Sequence, residues 1–187
     1  MTVHGLLLAA GAGQRYGGPK VLAHDSDGSS WLRRGIEVLH EGGCHWVTVV
    51  LGAEAESAMP LLEGTRSSFV VADDWAEGMS ASLQAGLDAL DERETAALVH
   101  LVDLPDVGSA VVARMLAGDV VAGTLRRATY DGKPGHPVVI GREHWPGVVA
   151  TAQGDRGARD YLAAHDHEAI ECGDLATGVD VDRPVRD

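Results

Sequence analysis

Short apolar runs alternate with stretches of helical spacing over the first two thirds of the chain. Val3 to Ala9 is apolar, short and ended by glycines, the pattern of a buried strand. The same reasoning predicts strands at Trp46 to Leu51, Ser68 to Ala72, Ala96 to Val102 and Val120 to Thr124. Between them, Ser29 to His40 carries Trp31, Leu32, Ile36 and Leu39 at helical spacing, with Ser29 or Ser30 as its cap. Helices are also predicted at Glu54 to Leu62, Gly78 to Leu90 and Gly108 to Ala117. Strands alternating with helices imply an α/β fold, a mostly parallel sheet covered on both faces. After Thr124 the pattern loosens. Arg126 to Pro137 reads as a polar loop before a strand at Val138 to Ile140, a helix at Gly157 to Ala164, and short late strands at Glu168 to Ile170 and Gly178 to Val181.

The length of 187 residues suits one domain over residues 1–187, with no repeat and no evident boundary. Apolar residues at 45% and charged residues at 23% exclude the disordered and fibrous classes. No apolar run approaches the roughly 20 residues of a membrane span, and no basic segment precedes an apolar one at the start. A cytoplasmic protein is expected, with a monomer as the default. The net charge of −13 and the lack of a basic face argue against a nucleic-acid partner. Such a field repels polyphosphates, so a site for one must supply local positive charge or a metal cation. Cys44 and Cys172 have no metal-ligand spacing and read as buried, reduced thiols. Against 13 arginines there are only two lysines, Lys20 and Lys133, and both stand in glycine-rich segments.

The loop from Ala10 to Pro19 holds four glycines and leads to Lys20. Glycines let backbone N–H groups turn toward a ligand, and successive N–H groups form a concave anion site. Arg15 and Lys20 add charge, the first as a fork and the second as a point. Two familiar phosphate loops do not fit. After Gly11 and Gly13 the next glycine is Gly17, one residue late for G-x-G-x-x-G. The order Gly18-Pro19-Lys20-Val21 lacks the hydroxyl of a P-loop.

The run L-A-A-G-x-G-x-R-x-G-x-x-K, from Leu8 to Lys20, resembles the signature of MobA-like NTP transferases, and the resemblance extends from Leu6 to Pro184. It is strongest to the molybdenum cofactor cytidylyltransferase branch, which also contains proteins named nicotine blue oxidoreductases. That resemblance implies a three-layer α/β/α, Rossmann-like nucleotide-diphospho-sugar transferase fold. Ala9-Ala10-Gly11 matches the cytidylyl branch, where guanylyl relatives tend to carry A-G-G.

Further motifs follow in order. The segment Asp74 to Leu87 reads as a glycine turn and a helix start, whose free N–H groups can hold a nucleoside, with Gly78, Ser80 and Ser82 as contacts. Ala72 stands where many relatives have Asn. Asp103, at the exit of a central strand, is the first choice as a magnesium ligand, since Mg²⁺ takes one or two carboxylates plus phosphate oxygens. Asp106 reads as a turn residue. Asp180 and Asp182 lie on one side of an extended segment. The resemblance makes Asp182 the second metal ligand, with Asp180 behind it. Arg183 replaces the family's usual Thr. His136 and the segment with Asp155 and Arg159 resemble stretches lining the acceptor side, where Arg126, Arg127 and Lys133 could also meet an anion. His165 and His167 read as surface residues, and Trp46, Trp75 and Trp145 as core.

The activity implied is transfer of CMP from CTP to the terminal phosphate of a molybdopterin-type acceptor, with release of pyrophosphate. A phosphate oxygen is already anionic, so no nucleophilic triad is required. Arg15, Lys20 and Asp103 carry the catalytic roles, and Ala9, Ala10, Gly11 and Gly13 hold nucleotide. Mg²⁺ is the implied cofactor, and transient contact with a molybdoenzyme or its chaperone the implied interaction, with no membrane. Three alternatives remain: another NTP transferase of the same fold, a nicotine-blue-type NAD(P)H oxidoreductase on the same scaffold, and a non-catalytic cofactor-binding module.

Overall fold

A computed structural model describes residues 2–182. Seven strands form one sheet in the order β3-β2-β1-β4-β6-β5-β7, with β1 at Val3–Leu8, β2 at Trp46–Leu51, β3 at Ser67–Val71, β4 at Ala96–Leu101, β5 at Leu125–Tyr130, β6 at Lys133–Gly141 and β7 at Glu168–Glu171. Strands β1 to β4 pair in parallel, β6 runs antiparallel to both β4 and β5, and β7 is parallel to β5. Among the strands of the described residues, β6 alone is therefore reversed.

Alternate residues of each central strand face opposite layers, which is why the strands read as continuous apolar runs. Leu7, Val47, Val49 and Leu98 pack on one face against helices α1 (Trp31–Glu41) and α4 (Ser109–Met115). The short α2 (Ala55–Ala58) follows β2. Leu6, Val50, Ala97, Val99 and Ile140 pack on the other face with α3 (Met79–Asp88), α5 (Trp145–Thr151) and α6 (Arg159–Ala164). The result is the expected three-layer α/β/α arrangement. Ser30 is the cap of α1, its Oγ accepting from the Arg33 N–H at 3.4 Å. No helix among the described residues is long and apolar enough to cross a membrane. Cys44 and Cys172 are free and buried.

The second half departs from the sequence reading. Val120 to Thr124 is a turn, closed by the Thr124 N–H on the Val121 carbonyl, and the strand begins at Leu125. The stretch read as a polar loop is a β-hairpin. Its turn is Asp131-Gly132, both at positive φ, a pair suited to a two-residue hairpin connection. A register shift between Arg127 and Thr129 breaks the period of two, so the strand did not show as an alternation. Helix α5 was not anticipated either. It begins Trp145-Pro146-Gly147, and Pro is tolerated in a first turn. Gly178 to Val181 forms no strand; one backbone bond, from the Val181 N–H to the Asp103 carbonyl at 3.0 Å, holds it. Arg183 and Pro184 lie outside the described residues.

Candidate functional site

Strand order reverses between β1 and β4, since β2 and β3 lie to one side of β1 and the later strands beyond β4. Open α/β sheets bind ligands at the carboxyl ends of strands at such a point. A cleft of about 340 Å³ opens there. Its walls are the loop after β1 (Ala9 to Gln14), the turn before α3 (Trp75, Gly78) with the first turn of that helix (Met79, Ser82), and Asp103 after β4, with Asp155 at one side.

The glycine loop folds back on itself. The Gly13 carbonyl accepts from the N–H groups of Tyr16, Gly17 and Gly18 at 2.9 to 3.2 Å. Gly13 has φ of +58°, and a Cβ there would collide with the Gly18 carbonyl, so this turn requires glycine. Among the described residues, no protein group accepts from the N–H groups of Gly11, Ala12 or Gly13. These donors line a cleft, the arrangement that binds anions.

Lys20 reaches across the floor. Its ammonium lies 2.8 Å from Asp103 Oδ2 and 3.0 Å from Asp182 Oδ1. Burial alone would lower the Lys20 pKa, but hydrogen bonds and charge from Asp103, then Asp182, hold it above its ordinary value. Conversely, the Lys20 ammonium, with a smaller contribution from Arg15, holds the Asp182 carboxyl below its ordinary range. Arg15 approaches Asp182 at 3.5 Å with its side chain largely exposed, a contact worth little by itself. Asp103 and Asp182 are brought together by two pins. One is the Val181 to Asp103 backbone bond; the other is Asp106, whose Oδ2 accepts from the Thr177 N–H and hydroxyl. Asp180 is exposed and outside the Lys20 ion pairs.

The turn before α3 meets the segment 154–157. A Cβ on Gly78 would stand 2.6 Å from both the Gly154 carbonyl carbon and Asp155 Oδ1, so these two motifs touch through glycine. Ser82 lines the cleft, whereas the buried Ser80 hydroxyl accepts from the Gly157 N–H at 3.2 Å and braces that junction. A smaller recess of about 70 Å³ continues beyond Asp155, lined by Arg127, His136, Asp155 and Arg159. Burial pushes the His136 imidazole down to about 3, with His100, Arg127 and Arg159 nearby adding to the effect. Burial, then Arg159, also lowers the Arg127 pKa. Positive charge in this recess therefore comes from arginine, with His136 neutral.

Other expected residues are placed elsewhere. The Arg126 guanidinium donates to the carbonyls of Met115, Ala117 and Asp119 after α4 and pairs with Glu168. Lys133 is exposed at the hairpin end. His165 stacks on Tyr161, and His167 is exposed. Trp145 is buried as expected, while Trp75 is a half-buried wall of the cleft and Trp46 is exposed at 38%. The wall formed by Trp75 and Met79 was not singled out from sequence; their position beside Gly78 was the available signal.

The doubly covered sheet, the glycine loop and the charged cleft at the strand-order reversal define a nucleotidyltransferase-type site. The chain belongs to the MobA-like NTP transferase family, whose domain it matches over residues 5–169. It is 38% identical over 190 residues to the nicotine blue oxidoreductase of Paenarthrobacter nicotinovorans, covering 96% of this chain and 92% of that protein. Among solved structures, Rv0371c of Mycobacterium tuberculosis H37Rv in complex with manganese is 25% identical, with a TM-score of 0.70 over 97% of this chain and 94% of that one. A nucleotidyl transferase of Methanothermobacter thermautotroptrophicus shares the fold at 18% identity, with a TM-score of 0.79 over 97% of this chain and 92% of that one.

Proposed function

We propose that this nucleotidyltransferase moves CMP from CTP to the terminal phosphate of a molybdopterin-type acceptor and releases pyrophosphate. The observation that carries this reading is Lys20, seated between Asp103 and Asp182 beneath unpaired glycine-loop N–H groups. An acceptor phosphate oxygen forms a bond to the α-phosphorus, the α–β bridging bond breaks, and its electron pair leaves with pyrophosphate. The loop donors at Gly11 and Gly13 hold phosphate oxygens. Lys20 and Arg15 offset the charge that develops on the α-phosphate and leaving group. Ala9, Ala10 and Gly11 bound the base side, and Gly78 and Ser82 the ribose side. Arg127 and Arg159, with neutral His136 as a hydrogen-bonding group, orient the acceptor phosphate beside Asp155.

Divalent metal fits the donor set. Asp103 Oδ1 is buried without a hydrogen-bond partner, and two carboxylates suit Mg²⁺ or Mn²⁺. Asp103 and Asp182 would hold the ion, with Asp180 as a further oxygen donor. When bound, it supplies charge neutralisation to the triphosphate. Support also comes from the relative that binds manganese.

The oxidoreductase named among the relatives favours a second reading, reduction by a nicotinamide cofactor. A thermal-shift panel of CTP, GTP, ATP and NADPH, each with and without Mg²⁺, separates the two. A ligand at 100 times its Kd stabilises by about 2.7 kcal/mol. A Mg²⁺-dependent shift greatest with CTP is expected. A shift with NADPH alone would replace this reading with the oxidoreductase, and no shift with any nucleotide would leave a cofactor-binding module.

A further inference from the structure

The opposite ends of the same strands carry a second cluster. His4 is the second residue of β1, His45 immediately precedes β2, and Glu94 lies two residues before β4. Because these strands are parallel neighbours, their amino ends converge, about 20 Å along β1 from the glycine loop. Glu94 Oε1 lies 3.2 Å from His4 Nδ1 and 3.2 Å from His45 Nε2. One ligand atom from each of the three residues can be chosen so that all lie within 4.8 Å of one another.

The protonation of His45 follows from its partner. Its Nδ1 is 2.9 Å from the Val3 carbonyl, which only accepts, so Nδ1 carries the proton. In the neutral ring Nε2 then presents a lone pair, and it faces a carboxylate oxygen that is also an acceptor. A shared cation satisfies both atoms: a proton on Nε2, which makes His45 an imidazolium paired with Glu94, or a metal ion held by the ring and the carboxylate together. His4 completes the set from the other side. Its Nε2 contacts the Thr48 hydroxyl at 2.8 Å, and Thr48 contacts Ser68 at 2.9 Å, a chain that can accept the Nε2 proton and leave Nδ1 bare. Both imidazoles are thus held by outer partners of the kind that orient metal-bound histidines. The two rings stand edge to face at 86°. Glu94 Oε2 is buried with no hydrogen-bond partner, and no second protein cation approaches the cluster among the described residues.

The geometry points to a divalent transition-metal site, His4–His45–Glu94, separate from the nucleotide cleft and suited to Zn²⁺. Two imidazoles and one carboxylate match the borderline character of zinc and are a poor set for Mg²⁺, which prefers oxygen alone. The His45 side chain is 43% exposed, which leaves a fourth position open to water. A bound ion would tie the amino ends of β1, β2 and β4 together.

Zinc itself is the probe, titrated into the tag-free chain against a chromophoric chelator, with Co²⁺ absorbance as a coordination signature. One equivalent should bind with a Kd below about 1 µM. Asp103→Asn, which alters the cleft, should leave that equivalent intact. His45→Ala and Glu94→Gln should each weaken it by about 100-fold or more and abolish the Co²⁺ bands. Because His45 is half-exposed, His45→Ala decides the matter if the Glu94 variant does not fold. Zinc binding no tighter than about 100 µM, wild-type affinity in His45→Ala, or loss confined to Asp103→Asn would each overturn the assignment.

Discussion

The parallel half of the sheet, β3-β2-β1-β4, and the hairpin half, β6-β5-β7, meet the cleft by different means. The parallel half delivers backbone donors from the glycine loop and the half-buried pair Lys20 and Asp103, which the segment after β7 completes with Asp182. The hairpin half and the 154–159 segment deliver exposed or half-buried arginines around a small recess. In the proposed reaction the first half handles the triphosphate, which every turnover requires. The second handles the acceptor, which differs among enzymes built on one scaffold. Fixed backbone geometry suits an invariant ligand, while side chains on a hairpin can change without disturbing the strand ends.

The largest effect is expected in the parallel half. Lys20→Ala and Asp103→Asn should each lower kcat by about 10²–10³, read as pyrophosphate release, since each removes one electrostatic contact to the reacting phosphates. Near-normal turnover in either variant would erase the division between the halves.

Acid should test a buried feature that spans them. His100 on β4 is pushed down to about 4 by burial, slightly opposed by Asp106, and its Nδ1 has no partner. The folded pKa lies below the unfolded value near 6.5, so the unfolded chain binds the proton first. Stability is therefore intact above pH 6.5 and falls as pH drops toward 4, by up to about 3 kcal/mol for this group. His136 on β6 acts in the same direction. Urea melts at pH 7.5 and 5 should show the loss, and His100→Gln should flatten it. An unchanged pH slope in that variant would mean His100 is not the group involved.

A smaller effect is expected in the hairpin half. Arg159→Ala should raise the acceptor KM about tenfold, the worth of one charged hydrogen bond, while the thermal shift with nucleotide is unchanged. If the nucleotide shift falls instead, the recess belongs to the triphosphate. The smallest is Asp106→Ala, which frees the Thr177 pin. A loss of about 1 kcal/mol in stability is expected, with a few-fold fall in kcat as Asp182 loses its placement.

The parallel half was legible in the sequence because its strands are buried on both faces and its chemistry sits at their ends. Val3 to Ala9, Trp46 to Leu51 and Ala96 to Val102 read as strands, and Asp103 as a strand-exit carboxylate, from position alone. The hairpin half was not. Arg126 and Arg127 are polar for two separate reasons, one securing the end of α4 and the other facing the recess, and the bulge between Arg127 and Thr129 conceals the alternation. Asp131-Gly132 was the signal that could have revealed it. Asp182 is named by the resemblance, and the strand expected just before it does not form; a single backbone bond and Asp106 position it instead. Long-range pins of that kind leave no periodic trace. Nor does the cluster at His4, His45 and Glu94, whose members are brought together only by strand pairing.

The central claim is best tested by incubating the chain with CTP labelled at the α-phosphate, Mg²⁺ and molybdopterin, following label and pyrophosphate together. Label entering the pterin with one pyrophosphate per transfer, and a collapse of both in Lys20→Ala, is the predicted result. Transfer from GTP alone, or no pyrophosphate from CTP while the folded chain oxidises NADPH, would contradict it.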